Sequence, residues 1–209
     1  MKKSILFIFT ACFLFTTSCS DFLDEEHKTK YSSEYVFGTP EGLKLAVNAL
    51  YALQRYYAND TENATIFALE RGTDLAVTNG GTGNFYGIYD PNYLKPSASQ
   101  VGFMWRTMYQ IIGKANEIIA AAEDLEDTPS LRATVSEAKC FRAQSYFLLY
   151  RTFDRIWLNI QPTTAENVND PRDFHAASEK EVFDLIYEDL ELSLIHMSEP
   201  TRHLRISYA

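Results

Sequence analysis

Between residues 105 and 125 the apolar side chains Trp105, Met108, Ile111, Ile112, Ala115, Ile118, Ile119, Ala122 and Leu125 recur at steps of three or four, with adjacent pairs between. A strand sends alternate residues to opposite faces, so this spacing would scatter the apolar groups over both. On a helix it makes one continuous stripe. Such a helix must bury its stripe against a neighbour, and the neighbour follows almost at once. Thr128 with Pro129 opens a second helix with Leu131, Val135, Ala138, Phe141, Ser145, Leu148, Leu149 and Thr152 on its inner side, while Arg132, Lys139, Arg142 and Arg151 point elsewhere. A connection this short favours antiparallel neighbours, so residues 105 to 154 read as an αα-hairpin.

Two further helices flank the hairpin. Thr39 as N-cap and Pro40 at the first helical position precede Leu43, Ala46, Val47, Leu50, Leu53 and Tyr57, which share one face of a helix ending near residue 58. After a polar connection over residues 162 to 177, Ser178 and Glu181 form a capping box for Val182, Phe183, Leu185, Ile186 and Leu190. The fold class expected is all-α. Trp105 reads as core, and Cys140 as a small apolar group on a helix face. Arg142 and Tyr146, four residues apart, read as interhelical packing and hydrogen-bonding groups.

The irregular part lies between the first two strong helical patterns. Residues 72 to 100 hold Gly72, Gly80, Gly81, Gly83 and Gly87, with Phe85, Tyr86, Tyr89 and Tyr93 among them. A loop this long in a compact domain is commonly functional, and its aromatic content argues against plain disorder. Sugars present C–H faces that lie on aromatic rings, while amides and carboxylates hydrogen-bond their hydroxyls. Asp74, Asn79, Asn84, Phe85, Tyr86, Tyr89 and Tyr93 are therefore the candidate ligand-binding residues. The bland alternative packs Phe85 and Tyr86 against the helices.

Other chemistry finds little footing. The segment Gly81-Thr82-Gly83 lacks the GK[ST] of a phosphate loop and the Rossmann spacing. Glu70 and Asp74 could pair as carboxylates for glycoside hydrolysis, but such pairs are abundant on acidic helices. His27, His175, His196 and His203 are scattered, and no metal-ligand spacing occurs, so neither a metal nor a cofactor is expected. The net charge of -9 argues against nucleic-acid binding.

The N-terminus reads as an address. Lys2 and Lys3 precede an apolar run over residues 5 to 15, then Thr16, Thr17 and Ser18 lead to Cys19. A membrane span needs about 20 apolar residues, and this run has about half that, so it reads as a secretory signal over residues 1 to 18. Small residues before a cysteine resemble the lipobox of bacterial lipoproteins, which makes Cys19 the lipidation site. Thr16 stands where that pattern has an aliphatic residue, and ordinary cleavage leaving Cys19 as a free thiol is the alternative. Loss of the signal removes two lysines and no acid, so the mature chain is more acidic still. Cys12 leaves with it, so once Cys19 is acylated only Cys140 keeps a thiol.

Several segments taken in order resemble the SusD/RagB family of outer-membrane nutrient-binding lipoproteins of Bacteroidetes. They are SCSDFLDEE at residues 18 to 26, WRTMYQIIGKANEII at 105 to 119, SEAKCFRAQSYFLLYRTFD at 136 to 154 and SEKEVFDLIYEDLEL at 178 to 192. One departure is the exit of the helix ending near residue 154, where Asp154, Arg155, Ile156 and Trp157 replace the family's Gly- and Pro-rich turn. The resemblance implies tetratricopeptide-like helical hairpins carrying irregular glycan-binding loops. It also implies anchorage in the outer membrane through lipid and a TonB-dependent transporter of the SusC type as partner. Members of the family are considerably longer.

The expected organisation is a signal peptide at 1–18, a lipidated N-terminus and tether at 19–38 and an incomplete SusD-like helical domain at 39–191. Residues 192 to 202 (LSLIHMSEPTR) resemble translated sequencing adapter, nothing from His196 to Ala209 continues the family pattern, and residues 192–209 are read as a non-native tail. Non-catalytic glycan capture is the expected function. A glycoside hydrolase using Glu70 or Asp74, and a purely structural helical adaptor lipoprotein, are the rivals.

Overall fold

The computed structural model describes residues 31–59, 99–164, 167–171 and 174–197. Among them are five helices and no strand: α1 (Ser33–Gly38), α2 (Pro40–Asn59), α3 (Ser99–Ala122), α4 (Pro129–Phe153) and α5 (Glu179–Met197). The helices belong to the unit Ser33–Ala209. None of the described helices is long and apolar enough to cross a membrane.

The helix starts follow their sequence signals. The Thr39 hydroxyl accepts the Gly42 N–H at 3.0 Å and donates to the Tyr35 carbonyl at 2.8 Å, joining α1 to α2. Only glycine fits at position 42, because a Cβ there would stand 2.2 Å from the Tyr35 carbonyl oxygen. Thr128 caps α4 by accepting the Leu131 N–H at 3.1 Å, with Pro129 in the first turn. At α5 the Glu181 carboxylate takes the Ser178 N–H at 2.7 Å while the Ser178 hydroxyl takes the Glu181 N–H at 3.3 Å, closing the capping box.

Helix α4 is the hub. It packs against α3 on one side, α5 on another and more lightly on α2, and α2 also lies along α3. The shared core contains Leu43, Leu50, Met108, Ile111, Ile112, Ile118, Tyr146, Leu149 and Val182, each exposed by no more than 1%. Burying one such large apolar side chain contributes roughly 1.5–3 kcal/mol. Because α4 is covered on several sides, it also buries Thr134, Ser136, Arg142 and Ser145. Three of these hydroxyls turn back onto carbonyls one turn earlier: Thr134 onto Ser130 at 3.0 Å, Ser136 onto Arg132 at 2.7 Å and Ser145 onto Phe141 at 2.8 Å.

Several expectations need correction. Helix α3 starts at Ser99 and stops at Ala122, so its first turns precede the stripe and Leu125 lies beyond its end. Trp105 is not core: it is 36% exposed, its ring lying against Tyr109 and Phe153. The buried stripe runs instead through Phe103, Met104, Thr107, Met108, Ile111, Ile112, Ala115, Asn116 and Ile118. Thr152 is exposed, whereas Arg142, expected to point away, is only 7% exposed. Its guanidinium bonds a carboxylate on α5. Cys140 is half-buried rather than fully interior.

The departure at residue 154 has a clear geometry. Asp154 holds φ 61° and ψ -51°, and the Arg155 N–H reaches back to the Phe153 carbonyl at 2.6 Å. That is a γ-turn of the rare positive-φ kind, which reverses the chain in one residue at the cost of backbone strain.

Candidate functional site

The γ-turn sends the chain into an irregular segment that runs back over the α3–α4 hairpin. Helices α3 and α4 hold it by its backbone. The Tyr109 hydroxyl, on α3, donates to the Trp157 carbonyl at 2.8 Å and accepts the Trp157 N–H at 3.0 Å. The Tyr146 hydroxyl, on α4, treats Asn159 in the same way, with both bonds at 2.8 Å. The Asn116 amide adds bonds to the Asn159 carbonyl at 2.7 Å and the Gln161 carbonyl at 3.4 Å. Clamped groups therefore fall on residues 157, 159 and 161, the two-residue repeat of an extended chain. Side chains do the work of a neighbouring strand, satisfying backbone groups that burial would otherwise leave unpaired.

The clamp has its own support. Arg142 donates from Nη1 to the Asn116 Oδ1 at 2.8 Å, which leaves the Asn116 NH2 for the segment. The same guanidinium makes two bonds to Asp189 on α5, Nε to Oδ2 and Nη2 to Oδ1, both at 2.7 Å. Asp189 is 1% exposed, so the pair is buried and bidentate. A continuous path of hydrogen bonds thus joins α5 through α4 and α3 to the segment.

Burial raises the pKa of both clamping tyrosines above the ordinary phenol value, and only in part do their backbone bonds to residues 157 and 159 pull it back. Both hydroxyls stay protonated near neutrality. They hold backbone and supply no base.

Over this scaffold lies a run of rings. Trp105 meets Tyr109 at 4.8 Å between centroids, Tyr109 stacks on Trp157 at 6.3 Å, and Trp157 meets Phe174 at 4.7 Å. Phe174 is 70% exposed. Beside Trp157 opens a cavity of about 390 Å³ lined by residues 157 to 162 with Asn167, Asp170 and Pro171. Of the lining residues, Asn167 accepts the Thr164 N–H at 2.8 Å and donates to the Pro162 carbonyl at 3.0 Å. The two ends of the connection meet where the Ala177 N–H bonds the Ile156 carbonyl at 2.8 Å.

The ligand candidates Asp74, Asn79, Asn84, Phe85, Tyr86, Tyr89 and Tyr93 lie outside the described residues, as do Cys19, Glu70 and the N-terminal leader. Sequence reasoning overlooked the 157–174 site because its connection reads as polar. The available signal was two large aromatics, Trp157 and Phe174, in a segment with no helical stripe to bury them. Arg142 and Tyr146 do serve as hydrogen-bonding groups between elements, as expected. Among the described residues no group of three or more His, Cys, Asp or Glu side chains could hold a metal ion.

No protein-family model matches the chain. In sequence it is 28% identical over 199 residues to SusD-like protein P38 of Formosa agariphila, an alignment covering 91% of this chain and 37% of that protein. The chain therefore spans little more than a third of the relative's length. In structure it superposes on a laminarin-binding SusD-like protein with a TM-score of 0.64 and 24% identity, covering 75% of this chain and 34% of the other. A SusD-like carbohydrate-binding protein of Bacteroides fragilis gives a TM-score of 0.57 and 16% identity, with coverage of 78% and 32%. The expected all-α, SusD-like architecture is thus present in both sequence and fold.

Proposed function

We propose that this chain, SusD-like in sequence and fold, is the N-terminal part of an outer-membrane lipoprotein that captures glycans without cleaving them. The observation carrying this reading is the agreement of two likenesses, one of sequence over 91% of the chain and one of fold, with SusD-like proteins that include a laminarin binder. Cys19 carries the lipid that tethers it, and a TonB-dependent transporter of the SusC type receives the cargo. The aromatic loop over residues 72 to 100 supplies ligand contacts through Asp74, Asn79, Asn84, Phe85, Tyr86, Tyr89 and Tyr93. Weak capture suits delivery: affinities between millimolar and micromolar correspond to roughly -4 to -8 kcal/mol, within reach of a few stacked rings and hydrogen bonds.

The test is made on the product of the complete gene in a Bacteroidetes host. Labelled palmitate should enter the wild type and not Cys19→Ala, and neutral polysaccharides cast in a native gel should retard the protein without being shortened. The SusC-type protein should co-purify with it. An unlipidated protein that migrates freely past every polysaccharide, or one that depolymerises them, refutes the reading.

A further inference from the structure

The cavity lined by residues 157 to 162 with Asn167, Asp170 and Pro171 has no role in the loop-based reading above. Its floor is rigid, because Tyr109, Tyr146 and Asn116 fix the backbone at Trp157, Asn159 and Gln161 with bonds of 2.7 to 3.4 Å. A floor already ordered spares a ligand the entropy of ordering it. The volume of about 390 Å³ falls within the range of small-molecule sites.

The lining specifies the ligand class. Trp157 contributes an aromatic surface, extended by the exposed Phe174 ring 4.7 Å away. The side-chain amides of Asn159 and Gln161 and the Asp170 carboxylate make no hydrogen bond with the described residues, and all three line the cavity. Asp170 is the one charged group among the described lining residues, so an anionic ligand would meet its repulsion there. A wholly apolar ligand would strip water from two amides and a carboxylate without replacing it. A neutral sugar matches both halves: its C–H face lies on the rings while its hydroxyls donate to Asp170 and exchange bonds with the amides.

We propose that the Trp157–Asp170 cavity, with Phe174 beside it, is a second saccharide-binding site, separate in sequence from the aromatic loop at 72–100. The site deepens the glycan-capture reading and rests on it.

The experiment uses the product of the complete gene, titrated calorimetrically with neutral hexasaccharides: β-1,3-glucan, β-1,4-glucan, α-1,4-glucan and xylan. Three proteins are compared: wild type, the cavity variant Gln161→Ala/Asp170→Ala/Phe174→Ala, and the loop variant Tyr86→Ala/Tyr89→Ala. Gln161, Asp170 and Phe174 are all exposed, so the helical circular dichroism and unfolding midpoint should stay those of wild type. Binding at the cavity predicts about fivefold to tenfold weaker affinity, or loss of one site, in the cavity variant. It also predicts residual binding in the loop variant. A folded cavity variant that binds like wild type overturns the second site and leaves glycan capture standing, as does a loop variant that binds nothing. A wild type that binds none of the four overturns both.

Discussion

Replacing Arg142 with Leu should destabilise the fold severely, and the structure says by how much. The guanidinium makes two bonds to Asp189 at 2.7 Å and one to Asn116 at 2.8 Å. Its loss leaves a carboxylate that is 1% exposed without a partner, and an Asn116 oxygen unpaired beside it. Breaking a buried pair from one side costs about 3–5 kcal/mol. With a urea dependence of about 2 kcal/mol per molar, the unfolding midpoint should fall by about 1.5–2.5 M. The double variant Arg142→Leu/Asp189→Leu removes both charges and should recover most of that loss, because well-packed apolar groups replace buried pairs at little cost. Hydrogen exchange adds a specific readout. Asn116 transmits the ion pair to the Asn159 and Gln161 carbonyls, so the Trp157 and Asn159 amides should exchange faster in the single variant by more than global destabilisation explains. A single variant costing under about 1 kcal/mol, or a double variant no better than the single, would refute the claim that the pair is buried and coupled to the segment.

Three further outcomes follow from local geometry. Tyr146→Phe removes both hydroxyl bonds to Asn159 and should cost about 1–3 kcal/mol in chemical denaturation. The phenols of Tyr109 and Tyr146 are held above the ordinary phenol value in the fold. Their stabilisation is therefore complete below that value and is lost as pH rises through the folded-state values. Tyr146→Phe should accordingly show a shallower alkaline loss of stability than wild type, and an equally steep one would contradict the assignment. Asp154→Gly relieves a positive φ and removes a negative charge from a helix C-terminus, so it should raise stability by about 1 kcal/mol, read as a higher melting temperature. Thr128→Ala deletes the bond capping α4 and should cost about 1 kcal/mol, with Thr128→Ser recovering most of it.

Much of the architecture is readable one segment at a time. Thr39, Thr128 and the Ser178–Glu181 pair mark helix starts because capping is local: the side chain meets backbone groups two or three residues away. The stripe from Met108 to Ile118 identifies α3, although Trp105, in register with it, ends up partly in water beside Phe153. α4 is less legible. Covered by three other helices, it has no single apolar face, and Thr134, Ser136 and Ser145 look solvent-facing in a linear reading. The segment at 157–161 is the least legible, since its regularity lies in hydroxyls contributed from residues 48 and 13 positions away.

The amino-acid order alone determined the helices, their caps, the short α3–α4 connection and the likeness to SusD-like proteins, since each depends on neighbours within a few residues or on strings of residue types. Tertiary packing alone decided that Arg142 turns inward, that Tyr109 and Tyr146 hold a strand-like segment, and that Trp157, with the Phe174 ring against it, lines a cavity. A buried charge or hydroxyl takes its direction from whichever partner lies within about 3 Å, and no linear pattern records which distant groups folding will bring that close.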